Sequence, residues 1–151
     1  MNLNWKVIII GGVLMYIAQF VVSFITGAFI HEGVLEPLYK ATTEFWRPEL
    51  NQEPPDMAAL MPRWISAGLL IAFVFAAVYD NIRSAFDGSG LVKGLKFGLM
   101  MALIYGMLGL GFSGIFNLPD AIWGWWALEG FIFYPVGGLV LGWYTEKYGA
   151  S

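Results

Sequence analysis

The chain has 151 residues, of which 58% are hydrophobic, 17% aromatic and only 13% charged, with a formal net charge of -3. Soluble domains carry about 25% charged residues, so this balance points to a bilayer partner, and the lack of a basic cluster argues against nucleic acid. With no cysteine and a single histidine, disulfides and thiolate sites are excluded and nitrogen ligands are scarce, so no cofactor is expected.

A hydrocarbon core about 30 Å thick takes about 20 apolar helical residues. Four continuous apolar runs, at about 7–29, 64–79, 95–116 and 121–144, are expected to span it. Alternation, the mark of barrel strands, is missing. The expectation is an all-α bundle of four transmembrane helices forming one domain.

The first run is longer than the apolar region of a secretory signal, and no A-x-A site follows, so it is read as a retained span. Tyr16 and Gln19 fall near its middle, and Gln19, Ser23 and Gly27 recur every four residues with His31 next on that line. His31, Glu32 and Glu36 cluster where the run ends. They offer two or three ligands where structural zinc takes four, so they make a weak metal candidate; an interfacial pH-sensitive contact fits them slightly better.

A loop at about 30–63 follows. Loops this long usually carry structure of their own. An interfacial helix is expected at 38–46 and a helical turn at 57–61, with Asp56 as its cap and Pro62 in the first turn of the second span. Phe45 and Trp46 would lie on the membrane surface or under a partner.

Small residues mark every span. The second has Gly68, Ala72 and Ala76; the third has Gly94, Gly98, Ala102 and Gly106; the fourth has Gly138 and Gly142, with Gly130 further up the same line. Lipid tails are as apolar as Leu, so membrane helices associate through close backbone approach at such ladders. These lines are seams of one bundle or of a homo-oligomer. Asp80 and Arg83 form an i,i+3 pair after the second span. Asp120 is expected to cap the fourth, and Pro135 to kink it near Phe131.

Basic residues set the orientation. Placing the N-terminus inside puts Lys6, Arg83, Lys93, Lys96 and Lys147 in the cytoplasm, and the long loop outside with its six carboxylates. Both termini are then cytoplasmic, in a cell (inner) membrane. Trp5, Trp143, Tyr144 and Tyr148 would line the inner interface, and Trp64, Trp123, Trp125 and Trp126 the outer.

Glu129 is the carboxylate set deepest in a run, about 12 Å below the outer surface at 1.5 Å per residue. Gln19 lies at a similar depth, so the two are expected within reach of each other. Tyr105 and Tyr134, with Tyr16, could complete a polar cluster. An ionisable group at this depth is either a proton, ion or ligand site, or a register-fixing hydrogen-bond partner. No nucleophile elbow, His-based triad, H-E-x-x-H or phosphate loop occurs.

Gly90-Leu91, then Lys93-Gly94-Leu95-Lys96-Phe97-Gly98-Leu99, Leu118-Pro119, Trp126 and the run 138–144 closing the last helix form one pattern. Over about residues 79–147 it resembles an uncharacterised family of small bacterial four-span integral membrane proteins. The resemblance implies a fold and no functional residues; the tryptophans at 123, 125 and 126 and the long loop depart from it.

These readings lead to a non-catalytic accessory or assembly subunit of a larger membrane complex. Its partners would be the lipid bilayer and other membrane-protein subunits or a second copy of itself. A homo-oligomeric proton, ion or small-solute conduit using Glu129 is the rival, with a lipid- or pigment-binding protein third.

Overall fold

A helix satisfies its own backbone in a solvent without hydrogen-bonding groups, and this chain is helical almost throughout. The computed structural model describes residues 4–149, and no strand occurs among them. Among the described residues, four helices are long and apolar enough to cross a membrane. They are α1 (Val7–Val34), α3 (Met57–Ile82), α4 (Gly90–Ser113) and α5 (Asp120–Tyr148). A short α2 (Glu36–Lys40) and two 3-10 turns, Thr43–Phe45 and Pro48–Asn51, lie between α1 and α3.

The helices lie in the order α3, α1, α5, α4, with α4 and α5 sharing the largest interface. Large apolar side chains point outward: Phe24 is 78% exposed, Ile115 74% and Met107 67%. Water would penalise such surface heavily; hydrocarbon does not.

Two packed clusters hold the bundle. Toward the chain termini, Met15, Ala76, Tyr79, Phe97 and Leu141 are buried together. At the opposite end, Ile30, Leu35 and Ile122 pack with Leu38, Tyr39, Trp46, Leu118, Trp125 and Trp126, so α2 and the segment after it are folded onto the helix ends.

The glycine ladders meet as backbone seams. A methyl built on Gly94 would overlap the carbonyl of Gly138, and one on Gly142 would overlap that of Gly90. Gly98 faces Pro135, whose Cα would lie 2.6 Å from an added Cβ. Ala102 and Gly106 are buried farther along α4. Ala72 and Ala76 are buried on α3, where Gly12 of α1 lies against Ala72 and Phe73, and the Tyr16 ring covers Gly68.

Several expectations change. α1 runs five residues past the expected end, through a π-helical turn at Ile30–Val34, and a second π turn occupies Val7–Gly11. The turn expected at 57–61 is the first turn of α3, with Asp56 accepting from the Ala59 N–H at 3.1 Å. Pro62 therefore lies inside α3, where it removes only the bond to the Ala58 carbonyl. The helix expected at 38–46 is replaced by α2 and a 3-10 turn. Asp120 is the first residue of α5 and makes no capping bond; its charge favours the positive helix end. α5 stays helical on both sides of Pro135, which speaks to its continuity and not to its bend.

At the end of the bundle near the termini, Arg83 binds Asp80 at 3.1 Å and donates to the Gly149 carbonyl at 2.9 Å, joining the ends of α3 and α5. Glu146 accepts from the Gly90 N–H at 2.9 Å, fixing the start of α4 to α5.

Candidate functional site

A carboxylate inside an apolar bundle needs donors. Glu129 has two, both from α1. The Thr26 hydroxyl donates to Oε1, and His31 Nε2 lies 3.0 Å from Oε2. The Glu129 side chain keeps 16% exposure and that of His31 35%. The two donors lie close together on α1, at the start of its π turn. Thr26 and His31 are five residues apart, a spacing an ordinary α-helix places on diverging faces. Both side chains nevertheless reach one carboxylate, and the π turn that begins at Ile30, with the Leu35 N–H on the Ile30 carbonyl at 2.8 Å, sets the phase of the chain beyond them. Such turns often occur at functional sites.

The network continues outward from the bundle. His31 Nδ1 is 2.7 Å from the Tyr39 hydroxyl, and Trp126 Nε1–H donates to the same hydroxyl at 2.9 Å. Trp126 has only a proton to give. The assignment that leaves no donor idle therefore runs from Trp126 to Tyr39, from the Tyr39 O–H to His31 Nδ1, and from His31 Nε2–H to Glu129. The Trp46 indole donates to the Tyr39 carbonyl at 3.1 Å and to Thr42 Oγ1 at 3.0 Å. Stacking of His31 on Tyr39 and edge contacts of Trp46 with Tyr39 and Trp126 complete the cluster. Burial pushes the Tyr39 hydroxyl up to about 12, against the opposing pull of the Trp126 hydrogen bond. Tyr39 is thus a neutral donor at physiological pH.

The other candidate residues lie elsewhere. Gln19 does not reach Glu129; it packs on Gly137, two turns further along α5, and its amide nitrogen is buried with no partner among the described residues. Tyr105 and Tyr134 pack together with ring centres 5.3 Å apart, Tyr105 lying over Gly130. Tyr16 points to α3 and Phe20. His31, Glu32 and Glu36 do not converge: His31 turns to Glu129, Glu36 pairs with Lys40 at 2.9 Å, and no group of three metal-ligating side chains forms among the described residues.

Thr26, Tyr39, Trp46 and Trp126 were not singled out for this site by sequence reading. Thr26 and His31 fall out of α-helical phase, and Tyr39 and Trp46 lie in the loop, so spacing alone gave no signal for either pair.

Chemically, the cluster is a hydrogen-bonded clasp. It ties α1, α2 and α5 together and closes both oxygens of Glu129. No protein-family model, curated protein or solved structure matches the chain.

Proposed function

We propose that this protein is a non-catalytic accessory or assembly subunit of a larger membrane complex, of the small bacterial four-span kind, set in the cell (inner) membrane with both termini cytoplasmic. The observation that carries this reading is the closure of Glu129. A transport port needs a carboxylate that can exchange its ligand, whereas this one is held by Thr26 and His31 of its own chain. The folded acidic segment after α1 supplies a docking face: Glu44 and Glu53 are exposed beside the Lys40–Glu36 and Arg47–Glu49 pairs.

Native mass spectrometry of the protein, taken gently from its own membrane, tests the proposal. A stoichiometric assembly with other chains is expected. A lone monomer or pure homo-oligomer overturns it.

One observation favours the conduit instead. The Gln19 amide and the Tyr79 and Tyr144 hydroxyls are buried and unpartnered in the half of the bundle near the termini. Water there could join them to a proton path. Proton flux into liposomes that disappears in Glu129→Gln would favour that reading; equal leakage from both forms and from empty liposomes would remove it.

A further inference from the structure

Four oxidisable rings lie side by side at the clasp end of the bundle. Trp46 is 5.1 Å from Tyr39 and 6.2 Å from Trp126, centre to centre, and Trp126 is 5.4 Å from Trp123. After the thiol, indole and phenol are the side chains that give up one electron most readily, and this chain has no cysteine. Rings this close pass an electron vacancy between them. A hole made on any one of the four therefore comes to rest where oxidation is easiest.

Oxidation is easiest where a proton can leave with the electron. An indole or phenol that has lost an electron is a strong acid, and a base that takes its proton fixes the hole there. The Trp46 N–H points at the Tyr39 carbonyl and Thr42 Oγ1, and the Trp126 N–H at the Tyr39 hydroxyl. None of these acceptors is a base. The Trp123 N–H has no partner among the described residues. Of the four rings, Tyr39 alone has a base, because its hydroxyl lies 2.7 Å from His31 Nδ1, the accepting nitrogen in the donor assignment above. On the far side of that imidazole, Nε2 is 3.0 Å from the Glu129 carboxylate. An imidazolium formed by the transfer would thus find its counter-charge already in place. His31 is the only histidine of the chain, so no other tyrosine has such a partner. Burial holds the Tyr39 hydroxyl up to about 12, so it does not ionise first; electron and proton leave together.

We propose that Tyr39 is a redox site that stores one oxidising equivalent. An outer-sphere one-electron oxidant that meets the half-buried Trp46, on the folded segment after α1, removes an electron from its ring. An electron from Tyr39 refills Trp46, and the Tyr39 proton passes to His31 Nδ1. The oxidant is reduced by one electron, and the products are a neutral tyrosyl radical and a His31–Glu129 ion pair. A one-electron donor reverses the step: the ring regains its electron and His31 returns the proton. The clasp is then both the tie between helices and the proton acceptor of the tyrosine. The site goes beyond the subunit reading and does not depend on it.

The test uses the intact protein in detergent micelles and flash-generated tris(bipyridine)ruthenium(III) as the oxidant. A Tyr148→Phe background removes the half-exposed tyrosine of the opposite end. Electron paramagnetic resonance of the frozen sample should show one neutral tyrosyl radical. In protein made with histidine carrying the heavy nitrogen isotope, that radical should show a nitrogen coupling that changes with the label; the single histidine makes its origin unambiguous. Tyr39→Phe should lose the signal. His31→Gln keeps a hydrogen-bond acceptor but no base, and should lose it too. A tyrosyl signal of equal yield in either variant overturns the proposal. So does a radical with no histidine coupling, a hole confined to tryptophan, or no radical at all. The isotope measurement leaves the clasp unaltered, so it decides alone should both variants fail to fold.

Discussion

Glu129 illustrates how one carboxylate can be a structural element. It accepts from Thr26 and His31, and each loss leaves a partner unsatisfied. Glu129→Ala should therefore lower stability by about 2 kcal/mol, the scale of hydrogen bonds to a charged acceptor. Glu129→Gln keeps one acceptor oxygen and should lose less; thermal unfolding in detergent micelles separates the two. Tyr39 supplies a pH prediction. Its folded value of about 12 lies above the ordinary 10.0, so the folded state holds this proton more tightly. Its contribution to stability is complete below pH 10 and is lost as pH rises through about 12. Alkaline unfolding should therefore start earlier in the wild type than in Tyr39→Phe, which has no proton to lose, and tyrosinate absorbance should show one late-titrating hydroxyl that the variant lacks.

At the scale of helices, the sequence was readable wherever close approach depends on small residues. The ladders Gly94, Gly98 on α4 and Gly138, Gly142 on α5 meet as expected of membrane seams. Gly138→Val should push α4 from α5 and lower stability, whereas Gly111→Ala should not. The latter meets nothing within 4 Å and should gain up to about 1 kcal/mol from helix propensity. Reversible unfolding of the two variants checks the contrast, and equal effects would remove the seam argument. The site was not readable in the same way. Counting 1.5 Å per residue from Val7 across a core of about 30 Å put Gln19 level with Glu129, whereas the first helix is 28 residues long and reaches Val34. The helix continues through a π turn, so His31, assigned to a loop, is still helical and comes level with the carboxylate. Hydropathy does not report a change of helical period over five residues. Pro135 packs against the partner helix. Its effect depends on the partner helix, and Gly98 leaves it room.

At the scale of the molecule, one end of the bundle is sealed by glycine backbone seams, while the other carries the polar clasp and the folded loop. The proposed orientation puts the clasp outside. The natural sequence has no cysteine, so a single introduced thiol reports its own side. A membrane-impermeant maleimide should label Glu44→Cys in intact cells and Ser84→Cys only after lysis; the reverse pattern would invert the topology. The side chains that join the clasp come from α1, α2 and α5, so it forms only after distant parts of the chain have met, and no local sequence signal could have announced it.

The π turn at Ile30–Val34 holds one residue more than an α turn needs. The chain therefore carries a spare unit of length at one place. Removing Gly33 would let α1 revert to a regular helix with its hydrogen bonds intact, and would rotate everything beyond by about 100°. Such a deletion should be tolerated by the span and ruinous to the clasp: Tyr39 would swing away from Trp126 while the four long helices stayed assembled. Insertions and deletions are usually thought of as events of loops; here a transmembrane helix contains the position at which a one-residue change in length would disconnect the loop from the bundle.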